Sequence, residues 1–257
     1  MNAIPSAPVV VTRPAEQAEA WVRQLRQAGI DATSLPLIDI VAAADAAPLA
    51  TAWQTLSSRR LVVFVSVNAV RHFFGARPAQ MPWPATLLAA APGPGTVQAL
   101  RDAGVDARGI VAPAPDAAQF DSESLWQRLR DRDWAGASVL VVRGGGGRDW
   151  LADRLVEAGA VVDRIDAYSR SLPVLDARAR DWLEVLAGAS GAVWLFSSSQ
   201  AIGHLEQLAG SGRWSKAAAL ATHPRIAARA QQAGFGRVVE ARPCVDAVVA
   251  CIQSMRP

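Results

Sequence analysis

The sequence predicts an α/β protein with two similar, doubly wound parallel-sheet domains that are joined by two extended connectors and have a cleft between them. Three observations support this prediction. Short apolar runs alternate with segments of helical periodicity, the runs end in turns rich in Ser, Thr, Gly and Pro, and the whole pattern occurs twice, about 130 residues apart. Apolar strands that alternate with helices are typical of parallel sheets covered by helices on both faces.

The first copy of the repeat begins at residues 9–11, an apolar run that predicts a buried strand. Apolar residues at helical spacing follow this run and stop at Gly29, a typical helix C-terminus. Ser122 is predicted to be the N-cap of the last helix of this copy. Further strands, each followed by a helix, are predicted at 61–65, 86–91 and 105–111.

The second copy begins at residues 139–143, which align with the first strand and Arg13. Gly159 then aligns with Gly29, the end of the first helix. Later elements of the two copies also correspond, because Ser198 falls on Ser66. Strands are predicted in this copy at 192–196 and 217–221, and a final helix at 246–255.

The segment 163–173 follows the first unit of the second copy and ends at a proline, so it is interpreted as a connector. It contains Tyr168, the single tyrosine of the chain. The segment 35–40 is its counterpart in the first copy and has Ile38 at the position of the tyrosine. We expect the two segments to join the two domains, with Tyr168 facing the cleft.

The composition excludes several classes of function. A formal charge of +3 with no basic block does not favour a nucleic-acid partner. No apolar stretch reaches membrane-spanning length without charges or prolines, and the first eight residues lack a basic secretion signal, so a soluble, cytoplasmic protein is expected. Cys244 and Cys251 are expected to be reduced thiols. The sequence predicts no metal site and no cofactor.

The ends of the predicted strands are the expected ligand-binding positions, because ligands of such sheets bind beyond the carboxyl ends of the strands. These ends carry hydroxyl groups and helix starts and no carboxylate, a pattern that favours an anionic ligand. The predicted binding residues are Thr12, Arg13, Ser66, Asn68, Gly93, Thr96, Arg143, Gly144, Ser197, Ser198, Ser199, Thr222, His223 and Arg225.

Two features allow more than one interpretation. The glycine-rich turn 143–148 is placed like a phosphate cradle, but Asp149 replaces the third glycine of a dinucleotide fingerprint, and a flexible turn explains the glycines equally. Tyr168 has a hydroxyl that can donate a proton or a hydrogen bond and a ring that can stabilise a cation. A tyrosine half-buried in a hinge, with its hydroxyl in water, is the simpler alternative.

The order and spacing of several short motifs resemble the uroporphyrinogen-III synthase family over nearly the whole chain. These motifs are residues 11–14, 64–70, 93–96, 122–125, 141–148, 168–170 and 196–198. The chain departs from the usual pattern of the family at 221–225, where many members have a turn rich in Gly and Thr.

The resemblance implies an exchanged domain arrangement. Residues 1–36 and 172–257 would form domain 1, residues 43–163 would form domain 2, and residues 37–42 and 164–171 would be the inter-domain connectors. The repeat by itself would equally allow a plain split near residue 120.

The resemblance also implies a lyase of tetrapyrrole (haem, sirohaem and cobalamin) biosynthesis that converts hydroxymethylbilane to uroporphyrinogen III, with loss of water and inversion of ring D. Tyr168 would assist departure of the hydroxyl group, and Ser66, Thr96, Ser197 and Ser198 would line the cleft. The expected enzyme is a monomer without a cofactor, and hydroxymethylbilane synthase is a candidate to hand over the substrate.

Two other functions are compatible with the residues. One is a two-domain small-molecule binding or sensor protein without turnover. The other is an enzyme for nucleotide sugars, against which the incomplete glycine fingerprint counts.

Overall fold

A computed structural model describes residues 8–79, 81–146 and 148–255. The strands are β1 (Val9–Val11), β2 (Ala32–Ser34), β3 (Asp39–Ala42), β4 (Leu61–Phe64), β5 (Leu88–Ala90), β6 (Ile110–Val111), β7 (Ser138–Gly144), β8 (Val161–Ser171), β9 (Val193–Phe196), β10 (Ala218–Ala221) and β11 (Arg237–Glu240). The α-helices are α1 (Ala15–Gln27), α2 (Ala47–Gln54), α3 (Val67–Gly75), α4 (Pro94–Asp102), α5 (Ser122–Leu129), α6 (Trp150–Glu157), α7 (Ala177–Gly188), α8 (Ser199–Ala209), α9 (Pro224–Gln232) and α10 (Val245–Met255).

The chain divides into two compact units. Unit 1 combines the residues up to Asp39 with those from Ser171 onward, and unit 2 is the continuous segment Ile40–Arg170. The chain therefore leaves unit 1 once and returns to it once.

Unit 1 contains a five-stranded sheet with the strand order β11-β10-β9-β1-β2, and its strand pairs are parallel. Numbered within the unit, this is the order 2-1-3-4-5 of one common doubly wound fold. One face of the sheet packs Val11 and Leu195 against Leu25 of α1 and Ile252 of α10. The other face carries an aromatic cluster, whose rings are Trp194, Phe196, Trp214 and Phe235.

Unit 2 contains a six-stranded sheet with the order β3-β8-β7-β4-β5-β6. Its core has two layers, one on each face. Phe64 and Val142 pack with Trp53 of α2 and Phe73 of α3 on one face. The side chains on the other face are Leu61, Val63, Val139 and Val141, which pack against Leu125, Leu129, Leu151 and Leu155 of α5 and α6.

The sheet orders show that the first strand of each sequence copy pairs with a strand of the other copy. Strand β1 lies between β2 and β9, and β7 lies between β8 and β4. Within each sheet the order is otherwise the same, since β8-β7-β4-β5-β6 corresponds to β2-β1-β9-β10-β11. The prediction of two similar doubly wound parallel sheets is confirmed.

The segments 37–42 and 164–171 contain more regular structure than the sequence predicts. Strand β8 covers residues 161–171 and pairs with β7, and β3 lies beside β8 at the edge of the sheet. The division at residues 37–42 and 164–171 stays a prediction. The predicted boundary between residues 163 and 164 falls inside β8, while the predicted connector 37–42 ends where β3 ends.

Several details of the secondary structure differ from the sequence prediction. Strand β2 is not predicted, and the strand predicted at 105–111 is only the two-residue β6. The N-cap of α5 is Asp121, whose carboxylate accepts a hydrogen bond from the Ser124 amide at 2.8 Å, so Ser122 is the first helical residue instead. Helix α7 begins after another acidic N-cap, Asp176. Neither α7 nor β11 is predicted, because α7 shows only a weak apolar stripe and β11 is a four-residue edge strand.

Candidate functional site

Each sheet has one point at which the chain order reverses between neighbouring strands. In unit 1 this point lies between β1 and β9, and in unit 2 it lies between β7 and β4. Doubly wound proteins bind ligands beyond the carboxyl ends of the strands at such a point. Thr12, Arg13 and Ser197 follow these strands in unit 1, and Gly144 and Ser66 lie there in unit 2.

Tyr168 lies beside this point of unit 2. Its side chain is buried, with 4% of its surface exposed, and it is part of the core cluster that contains Phe64 and Phe73. The phenol oxygen lies 2.9 Å from Ser66 Oγ. The phenol ring stacks on the imidazole ring of His72, with 5.6 Å between ring centroids and 18° between planes. The alternative of a half-buried hinge tyrosine with its hydroxyl in water is therefore wrong.

Ser66 connects this tyrosine to the start of α3. Ser66 is the N-cap of α3, and its Oγ accepts a hydrogen bond from the Ala69 amide at 3.1 Å. The positive end of a helix dipole lies at its N-terminus. The phenol oxygen of Tyr168 is thus held, through one hydroxyl, at the positive end of α3.

Gly144 makes room for the tyrosine ring. A Cβ atom at this position would lie 2.5 Å from Cζ and 3.0 Å from the hydroxyl oxygen of Tyr168. An irregularity in the pairing of β7 with β8 falls between Arg143 and Gly144 and brings Gly144 opposite Tyr168. At this position the glycine is therefore needed for the close approach of a side chain. Gly147 of the same turn lies outside the described residues.

Arg143 is bound by carboxylates of its own unit. Its Nε donates a hydrogen bond to Asp166 at 2.8 Å, and its Nη1 pairs with Asp149. Asp149 also pairs with Arg164 at 3.2 Å. Burial opposes the charge of Arg143, but its hydrogen bond to Asp166 and the negative charge of Asp149 outweigh burial and raise the pKa of Arg143. The expectation that no carboxylate lies at these strand ends is wrong here, because the pairing of β7 with β8 brings Asp166 beside Arg143.

The other predicted residues of unit 2 lie at the starts of α3 and α4. Asn68 and Thr96 are buried, and the Thr96 amide donates a hydrogen bond to the Gly93 carbonyl at 3.1 Å. The two helix starts are neighbours, since a Cβ at Gly95 would lie 3.6 Å from Val67. The fold thus brings Ser66, Asn68, Gly93 and Thr96 to one edge of the sheet.

In unit 1, the side chains of Thr12 and Arg13 make different kinds of contact. The Thr12 hydroxyl is buried and donates a hydrogen bond to the Leu195 carbonyl at 2.8 Å, so it ties β1 to β9. The Arg13 guanidinium lies 4.4 Å from the ring centroid of Trp21, and its Nε is buried without a hydrogen-bond partner. Burial lowers the pKa of Arg13 to about 10.

The remaining predicted residues of unit 1 surround the starts of α8 and α9. Ser198 is the N-cap of α8 and accepts a hydrogen bond from the Gln200 amide at 3.2 Å, while Ser199 is exposed. His223 is the N-cap of α9, and its Nδ1 accepts a hydrogen bond from the Arg225 amide at 3.1 Å. The Thr222 amide donates to the Phe196 carbonyl at 3.1 Å. This last bond places Thr222 beside Ser197, which follows Phe196.

Two residues of the site were not among the predicted ones. His72 stacks on the phenol ring of Tyr168, a contact that its position in the sequence does not indicate. His204, which occupies the equivalent helix position in the second copy, is buried with its Nδ1 2.6 Å from the Leu37 carbonyl oxygen, so it is a packing residue. Arg170 has a buried Nε and follows Tyr168 by two residues on β8. Arg170 ends the motif 168–170, and an arginine two residues after a candidate proton donor on one strand is a signal for a site residue.

Within the described parts of the chain, no three His, Cys, Asp or Glu side chains are grouped so that they could hold a metal ion. The same residues include no helix with the length and apolarity that a membrane crossing requires.

A family model described as uroporphyrinogen-III synthase HemD matches residues 19–250. The chain belongs to the uroporphyrinogen-III synthase family. This match covers the site of unit 2 and, in unit 1, the strand ends after β9 and β10.

Curated relatives agree with the family assignment. A uroporphyrinogen-III synthase of Salmonella typhimurium is 34% identical over 165 residues, which are 63% of this chain and 64% of the relative. The matched segment thus spans less than two thirds of that relative's length. A uroporphyrinogen-III synthase of Proteus mirabilis is 30% identical over 165 residues, which are 63% of this chain and 79% of the relative.

Solved structures of the uroporphyrinogen-III synthase family share the fold. A Helicobacter pylori uroporphyrinogen-III synthetase has a TM-score of 0.61 at 16% identity and covers 97% of this chain and 100% of its own. A mutant uroporphyrinogen III synthase of Thermus thermophilus has a TM-score of 0.59 at 17% identity and covers 97% of both chains. At these identities the likeness concerns the fold alone.

Proposed function

We propose that this chain converts hydroxymethylbilane to uroporphyrinogen III, with loss of water and inversion of ring D. The observation that carries the proposal is the family match over residues 19–250, which includes Ser66, Gly144 and Tyr168. Curated relatives named uroporphyrinogen-III synthase support the same activity.

In this reaction the main task of the protein is to bind and orient its substrate. Departure of the hydroxyl group leaves an azafulvene cation, the substituted carbon of ring D attacks it, and the resulting spiro intermediate fragments and recloses. The unassisted substrate cyclises to the uninverted isomer, so the protein has to favour one geometry of attack. Such proximity catalysis needs fixed hydrogen-bond donors more than a strong acid and base.

Tyr168 is the proposed proton donor to the departing hydroxyl group. Its position at the positive end of α3, 2.9 Å from Ser66 Oγ, supports this role. Negative charge that builds on the phenol oxygen as the proton leaves is favoured at a helix N-terminus. Gly144 lies against the ring and His72 stacks on it, and both contacts restrict its orientation.

Arg13 is the proposed anchor for a substrate carboxylate in unit 1. Its guanidinium takes part in no ion pair within the residues that the structure describes, in contrast to Arg143. A guanidinium binds a carboxylate through two parallel hydrogen bonds. Ser197, Ser199 and Thr222 are proposed to supply further donors, while Ser198 and His223 are engaged as helix caps.

The setting of the reaction is also part of the proposal. We place the protein in the cytoplasm as a monomer that receives its substrate from hydroxymethylbilane synthase. The described Cys244 and Cys251 are free thiols, as is usual in reducing compartments.

A coupled assay tests the proposed activity. Hydroxymethylbilane is generated in situ, the products are oxidised, and isomers III and I are separated with and without the protein. The proposal predicts that isomer III predominates when the protein is present. Isomer I alone would contradict the proposal, and tight binding of the tetrapyrrole without isomer III would favour the binding or sensor alternative.

A further inference from the structure

Two arginine side chains have a buried Nε without a hydrogen-bond partner and take part in no ion pair within the described residues. They are Arg13 in unit 1 and Arg170 in unit 2. A third arginine, Arg59, also has an unpaired Nε, but its Nη1 is bound to Asp163 and Ser138. Arg13 stacks on the ring of Trp21, whereas Arg170 has no cation–π contact among the described residues.

Arg170 lies next to the proposed proton donor. It follows Tyr168 by two residues on β8, and side chains two apart on a strand point to the same face. The two Cα atoms are therefore roughly 7 Å apart along the strand. Ser169 between them is exposed, whereas Tyr168 is buried and Arg170 is partly buried, as this alternation requires.

The environment of Arg170 lacks, within the described residues, the carboxylate that such a side chain normally has. Buried polar groups in native structures are nearly always hydrogen-bonded, so an unpaired charged donor needs an explanation. Asp166, an acidic residue on the same strand, is already bound to Arg143. Arginine stays charged at all physiological pH values, and its fork of donors matches a carboxylate.

We infer that Arg170 binds a carboxylate side group of the linear tetrapyrrole and positions the reacting end of the substrate at Tyr168. This inference rests on the proposed function, because it takes its ligand from the substrate of that reaction. Arg170 would then bind and orient the substrate, because its guanidinium is charged and no carboxylate among the described residues pairs with it.

Three variants test the inference: Arg170→Gln, Arg170→Lys and the matched control Arg128→Gln, which removes an exposed arginine of α5 in the same unit. We expect Arg170→Gln to raise KM about tenfold, which corresponds to about 1.4 kcal/mol, with a smaller change in kcat. Arg170→Lys keeps the charge but loses the fork, so KM should rise severalfold. Arg128→Gln should leave both constants unchanged.

A binding measurement separates recognition of the carboxylate from other effects. The probes are the oxidised cyclic product with free carboxylates and its neutral methyl ester, followed by tryptophan fluorescence. Arg170→Gln should weaken binding of the free acid about tenfold and leave binding of the ester unchanged, since only the acid can pair with a guanidinium.

The outcomes distinguish this inference from the proposed function. A wild-type protein that forms no isomer III would overturn the proposed function. A wild-type protein that forms isomer III, together with an unchanged KM in folded Arg170→Gln or Arg170→Lys, would overturn the inference alone. A lower unfolding temperature for Arg170→Gln with unchanged binding of the free acid would make Arg170 a structural residue and would also overturn it.

Discussion

At the scale of single residues, Tyr168 shows why position matters more than residue type. The sequence leaves open whether it is a hinge residue or a proton donor. The structure buries it, holds its hydroxyl at Ser66 and fixes its ring against His72. The hydroxyl has a defined direction because it contacts Ser66, the N-cap of α3. A proton donor needs such a fixed direction.

The first prediction concerns the hydroxyl of Tyr168. We expect Tyr168→Phe to lower kcat by up to about a hundredfold, the lower end for general acid catalysis, because the leaving group of this substrate departs readily. Removal of one hydrogen bond should cost only about 1 kcal/mol of stability, so the variant should fold. Steady-state kinetics and thermal unfolding of the same preparation measure both effects. An unchanged kcat would leave the hydroxyl without a chemical role.

The second prediction concerns Gly144. Gly144→Ala places a methyl group 2.5 Å from Tyr168 Cζ. We expect it to displace the tyrosine and to lower the free energy of unfolding by about 1–3 kcal/mol, as is typical of overpacking. The matched control is Gly75→Ala at the end of α3, where a new Cβ would meet no atom within 4 Å, and it should lower the free energy of unfolding by less than about 0.5 kcal/mol. Urea unfolding compares the two. Equal effects would show that Tyr168 does not require the glycine.

The residue scale also shows what a sequence can predict of a site. Strand ends can be located because apolar runs stop abruptly, and this placed Thr12, Ser66 and Ser198 near the correct edges. The partners of Arg143 could not be found in this way. Asp166 reaches it only through the register of β7 with β8, a contact between separate strands that local pattern does not specify.

At the scale of elements, a salt bridge ties the turn after β7 to the start of α5. Arg148 donates to both carboxylate oxygens of Glu123, at 2.9 and 3.2 Å. The hydrogen bond from Arg148 lowers the pKa of Glu123. Glu123 lies in the first turn of α5, where a negative charge is also favoured by the helix dipole.

The third prediction follows from the sign of this shift. A carboxylate with a lowered pKa in the folded state stabilises the protein above its unfolded pKa, near 4.5, and this contribution is lost as the pH falls through the folded value. We expect Arg148→Gln to be slightly less stable than the wild type at pH 7, by under about 1 kcal/mol since the pair is partly exposed. The difference should shrink at pH 3. Urea unfolding at both pH values measures it, and a difference that grows at low pH would contradict the assignment.

At the scale of the whole molecule, the repeat and the fold divide the chain differently. The repeat suggests two halves, but each sheet takes its first strands from one copy and the rest from the other. The sequence alone allows a split near residue 120 because strand pairing across copies leaves no local signature. The strand orders place β1 beside β9 and β7 beside β4, and the domain boundaries at residues 37–42 and 164–171 stay a prediction.

The fourth prediction concerns which fragments of the chain fold on their own. All six strands of the second sheet lie between residues 39 and 171, so a fragment of residues 39–171 should fold cooperatively by itself. A fragment of residues 1–120 should not, because it lacks β7 and β8 and leaves β1 and β2 without β9. Circular dichroism and urea unfolding of both fragments give the answer. A folded 1–120 fragment would contradict the exchanged arrangement.

The most direct test of the central claim follows the inversion of ring D in the product. Hydroxymethylbilane is prepared with adjacent ¹³C atoms in ring D and in the bridge that joins ring D to ring C, and the product is analysed by NMR. Inversion breaks the bond between these two atoms, so the account predicts that their one-bond coupling disappears in the product formed by this chain. A product that keeps the coupling has not been inverted and would contradict the account.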